Sequence, residues 1–288
     1  MPTALLGKTV VITGATSGIG EVAALRLAER GARLVFVARD RARARNLMSC
    51  LATAGPGRAH AVHFADLSVL ADQRRVATEI AAAEPRIDVL INNAGALSMG
   101  RTTTVDGLAV TFATNHLAYY VLTLLLLPRL QASPQARIVC TASRAHRQGR
   151  IDFEHLQRDG MSGYAQSKLA NLLFVRRLAQ LLAGSSTTVN ALHPGFVATR
   201  FADNGGYGWR ALMRCIKAVA AIAPEDGAQT LTYLAQSPEV AGRSGGYYAH
   251  CALTDVAPQA RNDADAARLW QVSAQLTGVD FRPVTPPA

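Results

Sequence analysis

The sequence predicts an α/β fold: one domain over residues 1–288, built on a doubly wound, mostly parallel sheet of seven strands with helices on both faces. Three observations lead there. Short apolar, β-rich runs alternate along the chain with Ala-, Leu- and Arg-rich helical stretches. Most of these runs are apolar almost throughout rather than alternating, as strands covered on both faces are. A cluster of glycines stands where the first run gives way to the first helical stretch.

KTVVIT (8–13) is the first strand, and TGATSGIG leads from it into the helical pattern EVAALRLAERGA. RLVFVA (33–38) is the second, followed by ARDRARAR, which reads in large part as a solvated helix face. HAVHFA (60–65) and IDVLIN (87–92) are the third and fourth. YYVLTLLLLP (119–128) marks a buried helix and falls well short of the roughly 20 residues that span a bilayer. ARIVCTA (136–142) and TTVNALH (187–193) are the fifth and sixth strands, and GGYYA (245–249) is a weaker seventh. No linker or repeat interrupts residues 1–250, whereas the tail 280–288 is Pro-rich and expected to fray.

Composition narrows the function. Hydrophobic residues make up 49% and charged residues 17%, which suits a packed globular chain. The net charge of +10 permits anionic partners, including cofactor phosphates and a peripheral membrane contact. The arginines are scattered and form no basic stripe with interleaved aromatics, so no nucleic-acid partner is expected. Cys50, Cys140, Cys215 and Cys251 form no CxxC pair, and the N-terminus carries no signal-peptide pattern. A reducing, cytoplasmic location follows as the expectation. His60 and His63 would face opposite sides of a strand, so no metal site is expected.

Gly14, Gly18 and Gly20 fall at the first strand-to-helix junction. Glycine there lets the backbone turn tightly and approach a pyrophosphate, which the N–H groups of the helix N-terminus then receive. Three glycines alone also fit a plain tight turn; the strand before and the helix after favour phosphate binding. The spacing is GxxxGxG rather than GxGxxG.

With TGATSGIG, NNAG at 92–95, Asn115 in TNHLA, Ser143 in TASRAH, Tyr164-x-x-x-Lys168 and Pro194-Gly195 in HPGFVAT, the chain resembles the short-chain dehydrogenase/reductase family over about residues 7–278. SRAHRQGRIDFEHL, YAQSKLANLLF and LWQVSAQLTG resemble its retinol-dehydrogenase-like branch, without the N-terminal membrane anchor of many animal members. The resemblance implies a Rossmann-type fold and a catalytic set of Asn115, Ser143, Tyr164 and Lys168. Ser143 would hold the substrate oxygen, Tyr164 would pass the proton, and Asn115 would serve a water-mediated relay ending at Lys168. It further implies that Ser17, Ile19, Leu67, Ala94, Gly95, Tyr164, Lys168, Pro194 and Gly195 lie along the cofactor with the glycines. Asp66 would meet the adenine edge, Asn92 would pack beside the adenosine, and Val197 and Thr199 would hold the nicotinamide carboxamide. Asp66 as a plain helix cap is the alternative. The family often pairs subunits through the helices after strands four and five, so a homodimer is expected.

The residue types suit that chemistry. Residues four apart share a helix face, so Tyr164 and Lys168 project side by side. A phenol is a poor base at neutral pH, and a nearby cation favours its ionised form. Only three of the 30 basic residues are lysine, yet one stands here. Its compact ammonium can serve both the phenol and ribose hydroxyls, which a planar guanidinium cannot do in the same space. Alone, a YxxxK spacing is also an ordinary helix face.

Cofactor choice follows from the end of the second strand. NAD enzymes of this fold place an acid there; this chain has Ala38, then Arg39, whose guanidinium can grip a 2′-phosphate. Ser17 can add a hydroxyl contact. Asp40 could bend back to the ribose, but precedes a helical run and is better read as its cap. NADP(H) is therefore expected over NAD(H). The stretch 196–224 is expected to be a mobile substrate loop, with Phe201, Tyr207, Trp209, Leu212 and Met213 lining an apolar pocket; a lid packed only for stability is the alternative. The function expected is an NADP(H)-dependent oxidoreductase of lipophilic alcohols, aldehydes or ketones. A catalytically silent cofactor sensor or scaffold is the rival reading, and a nucleotide-sugar epimerase, whose relatives usually carry GxxGxxG, the third.

Overall fold

The computed structural model describes residues 4–100, 102–195 and 223–281. All seven expected strands form: β1 (Thr9–Thr13), β2 (Arg33–Ala38), β3 (Ala61–Phe64), β4 (Val89–Asn92), β5 (Arg137–Thr141), β6 (Thr188–Leu192) and β7 (Tyr247–Ala249). The sheet order is β3-β2-β1-β4-β5-β6-β7-β8, parallel as far as β7. The order reverses between β1 and β4, which opens a crevice at the carboxyl ends of those strands.

Strand geometry explains the apolar runs. Alternate residues of one strand enter opposite cores. Val10 and Ile12 pack with Leu34 and Phe36 on one face, while Val11 packs with Val35 and Val37 on the other. The first core is completed by α1 (Gly18–Glu29), α2 (Arg41–Ala54) and α6 (Pro224–Gln236). The second is completed by α3 (Leu70–Ala83), α4 (Val110–Gln131), α5 (Gly160–Leu181) and α7 (Asp263–Thr277). Each fully buried Leu or Ile in these layers contributes about 1.5–3 kcal/mol. Asp40 caps α2 as expected, its Oδ1 accepting from the N–H groups of Ala42 at 2.9 Å and Arg43 at 3.1 Å.

Two features correct the reading of the sequence. The sheet has an eighth strand, β8 (Ala252–Leu253), antiparallel to β7. His250 and Cys251 make the two-residue turn between them with φ of 49° and 60°. Both lie in the left-handed region, which such turns normally fill with Asn or Gly, and so the hairpin carries no ordinary turn signal. The second feature is α4. It is longer than the apolar run and is widened into a π-turn over Ala113–Leu117. By length and composition it could cross a membrane, yet it is mostly buried between α3, α5 and the sheet. Tyr119, Tyr120, Leu122 and Leu126 on it are fully enclosed.

The amino end of the sheet is held by charge. Asp88, 2% exposed, accepts from Lys8 Nζ at 3.0 Å, the Thr9 N–H at 2.9 Å and Ser133 Oγ at 2.8 Å. Burial opposes its charge, but these donors outweigh burial and hold the carboxyl below its ordinary range.

Candidate active site

The carboxyl ends of β1, β4 and β5 are laced together by short polar side chains. Thr13 Oγ1 accepts from the N–H groups of Asn93 at 2.9 Å and Ala94 at 3.0 Å. Asn93 Nδ2 donates to the carbonyls of Thr13 and Gly14, each at 3.2 Å, and its Oδ1 accepts from Thr141 Oγ1 at 3.1 Å. Tyr119 reaches across from α4, its hydroxyl donating to the Ala94 carbonyl at 2.9 Å. Of these, Thr13, Asn93, Tyr119 and Thr141 were not singled out from the sequence. Thr13 and Asn93 nevertheless stand inside the quoted TGATSGIG and NNAG motifs, where their hydrogen-bonding types were the available signal.

The glycines have identifiable reasons. Gly14 has φ +69°, and a Cβ on it would lie 2.8 Å from Ala94 Cα. A Cβ on Gly20 would collide with the Gly14 carbonyl. The turn thus folds flat against the start of α1. Ser17 has the extended backbone of an N-cap but makes no capping hydrogen bond with its side chain. Its exposed hydroxyl and the first-turn N–H groups of α1 suit a phosphate. Ile19 and Leu67 are buried, so any cofactor contact of theirs uses mainly backbone, whereas Gly95 is exposed.

At the far wall, β2 ends at Ala38, and Arg39 stands 79% exposed with its NH1 3.6 Å from Asp66 Oδ2. Asp40 is committed to its cap and is not free to bend back. Asp66 does not cap α3; its Oδ1 accepts from the backbone N–H and hydroxyl of Ser68 at 2.9 and 2.7 Å. Asn92 is fully buried, its side chain donating to Thr123 Oγ1 at 2.9 Å, with Cys140 Sγ at 3.9 Å.

The catalytic candidates converge at β5. Ser143 follows the strand and caps a 3-10 turn, Arg144–Gln148, its Oγ accepting from the Ala145 N–H at 3.2 Å. The Ser143 carbonyl accepts from His146 Nδ1 at 2.6 Å, and His146 Nε2 accepts from the Ala257 N–H at 3.2 Å. His146 therefore carries its proton on Nδ1 and fixes the backbone of the serine. Gly149 lets this turn press on α5, because a Cβ there would lie 2.5 Å from the Ala165 carbonyl. Tyr164 on α5 thereby meets the Ser143 side chain through a hydrogen bond.

Lys168, 3% exposed, lies one turn along α5 and donates to the Thr141 carbonyl at 2.9 Å, with its Nζ 5.7 Å from the centre of the Tyr164 ring. Here the electrostatics differ from the expected pairing. Burial pushes the Tyr164 phenol up to about 12, opposed by the Ser143 hydrogen bond rather than by the lysine. Burial also pushes the Lys168 amine down to about 7. The phenol thus stays protonated at neutral pH, while the amine is poised between its two forms. Burial disfavours the charged form of each group, and here it outweighs their mutual attraction.

Asn115 sits in the π-turn of α4. Its Oδ1 accepts from the Ala96 N–H at 2.6 Å, and its Nδ2 donates to the Ala96 carbonyl and to Ser167 Oγ, both at 2.9 Å. Both amide hydrogens are thus used, and Oδ1 keeps one lone pair. Gly195, φ 86°, donates its N–H to His193 Nδ1 at 2.9 Å beside Pro194. Val197 and Thr199, and the residues expected to line the apolar pocket, lie outside the described residues.

Comparison with known proteins identifies the family. The short chain dehydrogenase family model matches residues 8–206. Dehydrogenase/reductase SDR family member 13 of Bos taurus is 41% identical over 96% of this chain and 74% of its own length. Retinol dehydrogenase 14 of Mus musculus is 39% identical over 96% of this chain and 88% of its own. Among solved structures, an uncharacterized protein from Mycobacterium Paratuberculosis superposes with a TM-score of 0.78 at 32% identity, covering 98% of this chain and 97% of that one. A short chain dehydrogenase from Burkholderia cenocepacia J2315, in complex with NADP, superposes with a TM-score of 0.69 at 27% identity, covering 85% and 96%. The chain belongs to the short-chain dehydrogenase/reductase family, in its retinol-dehydrogenase-like branch, and is an NAD(P)-dependent oxidoreductase of CH–OH donors.

Proposed function

We propose that this enzyme uses NADP(H) in preference to NAD(H) and acts on lipophilic alcohols, aldehydes or ketones, with Tyr164 as general acid and base. The observation that carries the chemistry is the meeting of Ser143, Tyr164 and Lys168 at the carboxyl end of β5, beside the glycine turn. The nicotinamide cofactor, when bound, supplies or accepts the hydride. Ser143 and Tyr164 then bracket the substrate oxygen. In reduction that oxygen becomes an alkoxide, a far stronger base than a phenolate, and the protonated Tyr164 hydroxyl gives up its proton to it. Lys168, half protonated near neutral pH, is suited to returning a proton to the tyrosine.

The NADP(H) preference is supported by Ala38 at the acid position, by the exposed Arg39 beyond it and by the commitment of Asp40 to its cap. The complex of the Burkholderia cenocepacia neighbour with NADP is consistent with it. The lipophilic substrate is supported by the retinol dehydrogenases among the relatives. The reading extends to a cytoplasmic homodimer, and the net charge of +10 suits a transient contact with an anionic membrane surface. A panel of long-chain and short polar carbonyls and alcohols with both cofactors, followed at the nicotinamide absorbance, tests the assignment. Preferred turnover of long-chain carbonyls with NADPH is expected. A preference for sugars or short hydroxy acids, or equal efficiency with NADH, refutes the corresponding half.

A further inference from the structure

Tyr247 opens β7, 4% exposed, on the face of the sheet covered by α5 and α7. Its ring stands edge-on to His146, with centroids 5.1 Å apart and an interplanar angle of 79°. It lies nearly parallel to His193, at 6.4 Å and 25°. His146 is bonded to the Ser143 carbonyl, and His193 immediately precedes Pro194-Gly195. The ring is thus held in the wedge between the turn that carries Ser143 and the loop that follows β6. Its hydroxyl is buried and has no hydrogen-bond partner among the described residues. A buried phenol without a partner is disfavoured, and a phenylalanine would fill the same space without that cost. The hydroxyl is therefore available to a partner that binding brings. Burial keeps it protonated and hence a donor, and Tyr164 is near enough for its charge to act on it.

We propose that the Tyr247 hydroxyl donates a hydrogen bond to the substrate, selecting lipophilic carbonyl compounds that carry a second acceptor oxygen near the reacting one. This rests on the proposed function, because it needs the reacting carbonyl to sit between Ser143 and Tyr164. The selectivity arises as it does in any site with a buried polar group: a ligand lacking the matching atom leaves the group unpaired. Arg144 and Arg147 flank the same turn and are exposed, so the polar end of such a substrate meets positive potential at the rim.

The test compares wild type with Tyr247→Phe on decanal and on α- and β-diketones of equal chain length. Steady-state turnover with NADPH is read beside calorimetric binding of the same diketones to the cofactor-loaded proteins. Tyr247→Phe should lower kcat/KM and affinity for at least one diketone by about tenfold, the worth of one good hydrogen bond. Decanal should change less than about twofold, and the melting temperature should hold or rise because an unpaired hydroxyl has gone. Equal losses on all probes, no loss on either diketone, or a fall in melting temperature overturns the inference. Absence of turnover by the wild type on every probe refutes the lipophilic carbonyl substrate of the proposed function instead, while the binding comparison still decides the role of Tyr247.

Discussion

Lys168→Met should make the protein more stable and inactive. The amine is 3% exposed and burial lowers it to about 7, against roughly 10.4 for a free lysine. At neutral pH the unfolded chain carries a full charge there, whereas the folded chain must discharge or bury it. With about 1.4 kcal/mol per unit, the burden at pH 7 is about 4 kcal/mol. Methionine fills similar volume without it. Thr141 loses one donor but keeps Asn171 Nδ2 at 3.3 Å, so its carbonyl is not orphaned. Subtracting about 1 kcal/mol for the lost hydrogen bond leaves a net gain of about 2–3 kcal/mol.

The sign of the pH dependence follows from the depressed folded value. Between about pH 7 and pH 10.4 the unfolded chain binds more protons than the folded one, so the wild type gains stability as pH rises. The advantage of the variant is therefore largest at or below about pH 7 and fades toward about pH 10. Urea unfolding of both proteins at several pH values reads this directly, since all other titrating groups cancel in the difference. A variant less stable than wild type at pH 7, or a gap that does not narrow with rising pH, refutes the reasoning.

Tyr164→Phe should lower kcat by at least about a hundredfold while leaving the cofactor dissociation constant within about twofold, read by quenching of protein fluorescence; a smaller fall in kcat removes the tyrosine from the proton path. Arg39→Ala should weaken NADPH about tenfold or more and leave NADH unchanged, because one charged hydrogen-bonding group is lost; an unchanged ratio of the two efficiencies would show that Arg39 is not the source of the preference. Asp88→Asn should lower stability at neutral pH by about 2–4 kcal/mol, since Lys8 and the Thr9 N–H lose their anion. The folded value of Asp88 is lowered, so its contribution is present above about pH 4 and lost as pH falls below that; a deficit in acid unfolding curves that persists unchanged at lower pH counts against it.

Much of the fold was legible because its signals are local. A parallel strand buried on both faces is apolar at nearly every position, and KTVVIT, RLVFVA and ARIVCTA say so without reference to their neighbours. β8 was not legible because its turn rests on His250 and Cys251 in the left-handed region. That choice is supported from outside the hairpin, the Cys251 N–H donating to Thr230 on α6 at 3.1 Å. The π-turn at Asn115 was likewise invisible, since nothing in TNHLA distinguishes a wide turn from a narrow one. The bonds that occupy Asn115 come from Ala96 and Ser167, both distant in sequence.

The same limit applies to the Tyr164–Lys168 pair, and there it bears on mechanism. Spacing shows that the two share a helix face, but the charge each prefers depends on what covers that face. Lys168 is buried against the strand end of β5, and Tyr164 is half-buried beside the 3-10 turn that presses on α5 through Gly149. In water the ammonium would favour the phenolate. In this enclosure the phenol keeps its proton and the amine is close to giving one up. Ionising the tyrosine beside a neutral lysine would bury an unpaired anion; beside an ammonium it would create a buried ion pair, which must be hydrogen-bonded on all sides to survive. Ser143 supplies one such bond to the phenol, and the Thr141 carbonyl one to the amine. The charge-separated state is therefore only partly prepared by the protein itself. In the proposed mechanism its completion falls to the groups that arrive with cofactor and substrate.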